Sequence, residues 1–103
     1  MSIDLEPHVL ERVRTILRTY VPDCEVWAFG SRVDSRGKPF SDLDLALVSA
    51  TELPTRRLAL LAHAFEESDL PIKVDVIDWH SAPPEFRERI AEHHAIIQQP
   101  TSA

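Results

Sequence analysis

The stretch Asp42-Leu43-Asp44-Leu45-Ala46-Leu47-Val48 alternates with a period of two. In an extended chain Leu43, Leu45 and Leu47 share one face while Asp42, Asp44 and Ala46 share the other, so the segment reads as a strand with one packed face and one acidic face. Carboxylates at i and i+2 stand with their Cα atoms roughly 6.5–7 Å apart, close enough to reach the same one or two hard cations. Left bare, two such charges about 5 Å apart repel by roughly 3 kcal/mol at an effective dielectric of 20, a large share of a small domain's stability. Either one carboxyl keeps its proton or a divalent metal sits between them.

Upstream of this strand the apolar pattern lapses from Gly30 to Ser41 into a polar loop, Gly30-Ser31-Arg32-Val33-Asp34-Ser35-Arg36-Gly37-Lys38-Pro39-Phe40-Ser41. Both glycines of the chain lie in it, where average usage would supply about seven along 103 residues. A glycine directly after a strand lets backbone N–H groups approach a ligand closely, and the Ser31 hydroxyl and Arg32 guanidinium can hydrogen-bond phosphate oxygens. The loop therefore suits phosphate binding. It is not a P-loop, because Gly30 and Gly37 enclose too many residues and Lys38 is followed by Pro39 instead of a hydroxyl opening a helix.

Before the loop, Cys24 to Phe29 is short, rich in apolar and aromatic residues and stops at Gly30, as a strand does. Leu10, Val13, Leu17 and Tyr20 recur at helical spacing and predict an amphipathic helix over Glu6 to Tyr20, with Pro7 in its first turn. After the acidic strand, Pro54 opens a helical stripe of Leu58, Leu61, Ala62 and Phe65 running to about Glu67. Lys73 to Asp78 then reads as a third strand, Val-Asp-Val-Ile at its centre, whose Asp75 stands where packing alone would call for an apolar side chain. Phe86, Ile90 and His93 or His94 follow at helical spacing after Pro83-Pro84, and Ala95 to Gln98 forms a short last strand. The order α-β-loop-β-α-β-α-β indicates an α+β fold, a small mixed sheet of about four strands covered by helices.

The 17 acidic against 11 basic side chains give a formal charge of −6, which argues against direct capture of nucleic acid and requires a cation wherever phosphates bind. With 44% apolar and 27% charged residues the chain reads as one folded domain, residues 1–103. Its single cysteine, Cys24, excludes an internal disulfide and reads as a small buried hydrophobe. No stretch approaches a membrane span or a secretory leader, and the expectation is a cytoplasmic protein.

Taken together, Phe29-Gly30-Ser31-Arg32, Ser41-Asp42-Leu43-Asp44-Leu45 and Val74-Asp75-Val76-Ile77-Asp78 resemble the minimal nucleotidyltransferases of the polymerase-β superfamily, over about Trp27 to Asp78. The resemblance implies that Asp42 and Asp44 hold two magnesium ions, that Asp75 holds the one activating the acceptor hydroxyl, and that Gly30 and Ser31, with Arg32, clasp the triphosphate of ATP. It further implies a protein adenylyltransferase serving as antitoxin to a HEPN-domain ribonuclease, with a tyrosine hydroxyl as acceptor. In the family's usual loop a second glycine follows Gly-Ser-Arg after two residues; here Val33, Asp34 and Ser35 stand there. Those features favour a second reading, a binding module that neutralises its partner by covering it without transfer. Asp78 belongs to the strand end or the next turn, with metal ligation as its fallback role; His93-His94 reads as a helix cap, Trp27 and Phe29 as core residues, although an adenine ring could stack on an aromatic near the mouth of the site, and Arg56 and Arg57 as solvated charges.

Overall fold

The computed structural model describes residues 3, 5–30, 32–33 and 42–101. Four strands form one sheet in the order β3-β2-β1-β4: β1 (Glu25–Phe29), β2 (Leu43–Val48), β3 (Val74–Asp78) and β4 (His94–Gln98). β1 pairs antiparallel with β2 on one side and β4 on the other, whereas β2 and β3 run parallel. The parallel pair needs a crossover, and α2 (Thr55–Glu66) supplies it. The remaining helices are α1 (Pro7–Tyr20), before β1, and α3 (Pro84–Glu92), before β4.

The helices begin where prolines allow. Pro7 and Pro84 occupy the first turns of α1 and α3, where a missing N–H costs nothing, and Pro54 immediately precedes α2. The apolar stripes bury Val9, Val13 and Leu17 of α1 and Leu61 and Phe65 of α2. These side chains join Val26, Ala28, Leu43, Leu45 and Leu47 from one face of the sheet in a single core, so the alternation read from β2 has its predicted packing side. Cys24 is fully buried in that core. The far end of the chain is fastened to it by Gln98, whose buried Nε2 donates to the carbonyls of Val21 (2.8 Å) and Cys24 (2.9 Å).

Two expectations are corrected, and one element is new. Trp27 and Phe29 are half-buried and lie on the opposite face from the core, because Val26 and Ala28 take the inward positions of β1. Trp27 stacks on His94 with centroids 4.0 Å apart and meets Trp79 edge-on at 5.1 Å, while Phe29 meets Phe86 edge-on at 5.6 Å. Arg57 is not merely solvated: its guanidinium binds both carboxylate oxygens of Asp23, which lowers the Asp23 pKa, tying α2 to the turn before β1. A short 3-10 turn, Trp79–Ser81, follows β3 and was not expected from the pattern.

Candidate active site

Strand register, more than loop geometry, assembles the candidate site. Phe29 of β1 is paired with Asp44 of β2, and Asp44 with Asp75 of β3, while His94 of β4 is paired with Phe29. Directly paired residues point to the same side of a sheet, so His94, Phe29, Asp44 and Asp75 form one row across the face that α1 and α2 leave uncovered. The next row is Ile96, Trp27, Ala46 and Ile77. Asp42 precedes β2 by one residue and is exposed.

The three carboxylates are electrostatically linked. The pKa of Asp44 is raised, chiefly by burial and then by the negative charges of Asp75 and Asp42. Asp75 lies toward solvent, its side chain 45% exposed, with Lys73 Nζ 3.6 Å from its carboxylate. Among the described residues no three His, Cys, Asp or Glu side chains are already drawn together tightly enough to hold an ion. Three hard oxygen donors whose mutual repulsion a divalent cation would relieve fit magnesium in chemistry, and the cation would supply the closure.

Gly30 shows how closely the loop approaches. It has φ +82°, and a Cβ added to it would lie 2.6 Å from Asp44 Oδ2. Both the conformation and the space therefore demand glycine, and the chain passes directly over the carboxylate as it leaves β1. The Val33 N–H returns to the Gly30 carbonyl at 3.0 Å, closing a turn. Ser31, the remaining member of the expected phosphate-binding set, lies outside the described residues, as do 34–41.

Arg32 departs from its expected place. It is buried, 7% exposed, and lines a cavity with Leu5, Glu6, Val9 and Ile72 beside the start of α1, not the cleft that contains Asp44. Asp78 is also not on the acidic face. It is 3% exposed, and its two carboxylate oxygens accept hydrogen bonds from the backbone N–H groups of Leu53 (2.9 Å) and His80 (3.1 Å). That carboxylate organises the entry to α2 and the 3-10 turn. His94 caps α3 as expected, its Nδ1 lying 3.1 Å and 3.0 Å from the carbonyls of Ile90 and Ala91.

What sequence reasoning missed is the side of the sheet on which α3 lies. This helix walls a cleft of about 540 Å³ against the open face, lined by Phe29, Gly30, Asp44 and Ile77 from the sheet side and by Phe86, Arg89, Ile90, Glu92 and His93 from the helix and its end. Phe86 and Ile90 gave the signal in their helical spacing, but nothing in the spacing says which side of the sheet the stripe covers.

Comparison with known proteins shows the family and the fold. The family model described as polymerase beta, nucleotidyltransferase matches residues 11–101. The Haemophilus influenzae protein named "Probable protein adenylyltransferase MntA" is 45% identical over 98 residues, covering 95% of this chain and 86% of that one. Among solved structures, a toxin–antitoxin complex with AMP-PNP superposes with a TM-score of 0.72 at 24% identity, covering 89% of this chain and 73% of the other. A tri-AMPylated Shewanella oneidensis HEPN toxin in complex with its MNT antitoxin gives 0.69 at 21% identity, covering 94% and 74%. These two likenesses establish the fold, an α+β nucleotidyltransferase fold with a four-stranded mixed sheet.

Proposed function

Because the chain belongs to the polymerase-β nucleotidyltransferase family, we propose that it is a magnesium-dependent protein adenylyltransferase, one minimal domain over residues 1–103. It transfers AMP from ATP to a hydroxyl, a tyrosine in our reading, of a HEPN-domain ribonuclease and thereby acts as that toxin's antitoxin. The observation that carries the reading is the register Asp44 to Asp75 on the open face, with Gly30 pressed against Asp44. A relative at 45% identity bearing the name protein adenylyltransferase supports the acceptor class, as do fold neighbours solved with a HEPN toxin and with AMP-PNP. ATP as donor and a ribonuclease as partner place the activity in the cytoplasm. No described helix is long and apolar enough to cross a membrane.

In this reading the acceptor oxygen forms a bond to the α-phosphorus of ATP as the bond to the β-phosphate oxygen breaks, and pyrophosphate leaves. Asp42, Asp44 and Asp75 would hold two magnesium ions, which would supply charge to lower the acceptor's pKa and to neutralise the leaving pyrophosphate. The chain's own contribution is placement. β2 and β3 fix two carboxylates on adjacent strands, so neither has to be recruited from a loop when the nucleotide arrives. Gly30, with Ser31, brings backbone donors down to the phosphates. Asp75, the more exposed carboxylate of the pair at the sheet's edge, faces the side from which a macromolecular acceptor can approach.

The test is to incubate the chain with labelled ATP, magnesium and a HEPN-domain partner. Label appears on the partner with the wild type and falls at least about 1,000-fold with Asp42→Asn or Asp44→Asn. Label that survives both substitutions overturns the reading. Inhibition of the ribonuclease without any label establishes instead the occluding module that Asp34 and the displaced glycine suggest.

A further inference from the structure

The turn that follows Gly30 is fastened from behind. The Val33 N–H closes it on the Gly30 carbonyl at 3.0 Å, and the Val33 side chain, 6% exposed, belongs to the main core. Arg32, 7% exposed, lines a cavity of about 450 Å³ whose walls come from two distant parts of the chain, Leu5, Glu6 and Val9 around the start of α1 and Pro71 and Ile72 before β3. None of these residues lines the cleft that contains Asp44. The wall made by Ile72 leads straight into the strand pair of the candidate site: the Lys73 carbonyl accepts the N–H of Leu43 at 2.9 Å, and the ladder then pairs Asp44 with Asp75.

We infer that Arg32 is a positioning residue: it braces the chain at Gly30 against α1 and the approach to β3, and does not itself touch the nucleotide. This deepens the reading above and rests on it. The side chain is committed to the cavity beside α1 and is thereby withdrawn from the cleft. Consecutive Cα atoms are roughly 3.8 Å apart, so a residue fixed two positions after Gly30 leaves the chain between them little freedom. Gly30, at φ +82°, is the most permissive point of the segment, and without anchors the backbone donors there would have to be ordered by the arriving phosphates, at an entropic cost set against binding. Val33 and Arg32 transfer that cost to folding, as preorganised sites do. An arginine suits the place because its stem packs on apolar surface while its guanidinium requires polar company. The cavity offers both, with Leu5, Val9 and Ile72 on the one hand and Glu6 and His8 on the other. Since the same wall runs into β3, the brace sets the spacing between the donors at Gly30 and Asp75 as well as the shape of the turn.

The experiment measures binding of inorganic tripolyphosphate and of ATP to the full chain with magnesium, by calorimetry at low temperature, so that neither transfer nor thermal stability enters the result. Val9→Ala alters the cavity from α1, outside the cleft, and Arg32→Met keeps a stem of similar length while removing the guanidinium. A brace predicts that Arg32→Met weakens both probes about tenfold and Val9→Ala about threefold, and that the two together weaken them no more than Arg32→Met alone. Weakening by Arg32→Met that Val9→Ala does not share, or effects that multiply, assign Arg32 to direct phosphate contact and overturn the inference. Lowered thermal midpoints with unchanged affinities also overturn it, as the mark of a merely structural arginine. Where Arg32→Met does not fold, Arg32→Lys takes its place: it keeps the charge without the planar fork, weakens tripolyphosphate if Arg32 braces the turn, and overturns the inference if affinity stays within about twofold, since a point charge suffices for phosphate contact. A chain that binds tripolyphosphate in this Arg32-dependent way but labels no partner overturns the adenylyltransferase reading alone; a wild type that binds neither probe overturns both.

Discussion

The two faces of one sheet are built from the same strands and differ in every physical respect. Toward α1 and α2, positions 26, 28, 43, 45 and 47 are aliphatic and wholly buried. One residue over, positions 27, 29, 44, 75 and 77 are aromatic, acidic or aliphatic and only partly covered. Since neighbouring residues share a backbone, the packed face fixes the register, and the register alone decides that Asp44 lies beside Asp75. Stability and chemistry are thus separated by a single peptide bond, and a change on one face should leave the other nearly untouched.

The sharpest way to break that separation is Leu45→Ala. Deleting a fully buried leucine from the centre of the core should cost about 3 kcal/mol, lowering the thermal midpoint by more than 10 °C, while magnesium-ATP binding at low temperature stays within threefold. Loss of binding in a folded variant would show that the faces are coupled. Asp78→Ala is the next largest effect, about 2 kcal/mol in denaturant unfolding, because it strands the N–H groups of Leu53 and His80. Magnesium affinity should not change, since this carboxylate belongs to the packed side.

Gly30→Ala attacks the other face from the loop. The left-handed backbone and the 2.6 Å approach to Asp44 should make it cost about 1–2 kcal/mol and abolish the thermal shift given by magnesium with ATP. The smallest effect has the opposite sign. Asp44 is held above the ordinary carboxylate pKa by burial and by two like charges, so the folded state binds its proton more tightly than the unfolded chain does. The stability it costs is present in full above its folded pKa and is recovered as the pH falls through that value toward the unfolded one. With magnesium chelated, Asp44→Asn should therefore raise the midpoint at pH 7 by about 2–5 °C, an advantage that shrinks as the pH falls through the raised folded pKa and is gone below about pH 4, the unfolded value. A destabilised Asp44→Asn at pH 7 would mean that the carboxylate helps to hold the fold.

Much of this was legible because strands have a short period. Alternation in Leu43 to Val48 placed β2, its buried face and its acidic face correctly, and α1 and α2 followed from stripes that could only cover the leucines. The acidic residues stood out as departures from packing. The aromatics did not: Trp27 and Phe29 are what a core strand carries, and only the full burial of Val26 and Ala28 reveals that they face the other way. Arg32 was harder to read: it follows Gly30 by two residues, yet its side chain lines a cavity beside the start of α1. Asp78 stands where its first reading put it, at the strand end and the next turn. Helix α3 was readable as a helix, yet its side of the sheet depends on the turn at Trp79–Ser81, which the Asp78 carboxylate caps and which leaves no mark in the spacing.

The pairing of β1 with β4 has a temporal consequence. Of the four described strands β4 is synthesised after the others, and until it pairs, one edge of β1 has no ladder partner and the Phe29 row lacks its flank. Asp42, Asp44 and Asp75 are already translated by then, but β1 remains a sheet border. Folding therefore closes with the longest-range ladder among the described strands, and truncation before β4 should yield sticky fragments in which one edge of β1 is unpaired.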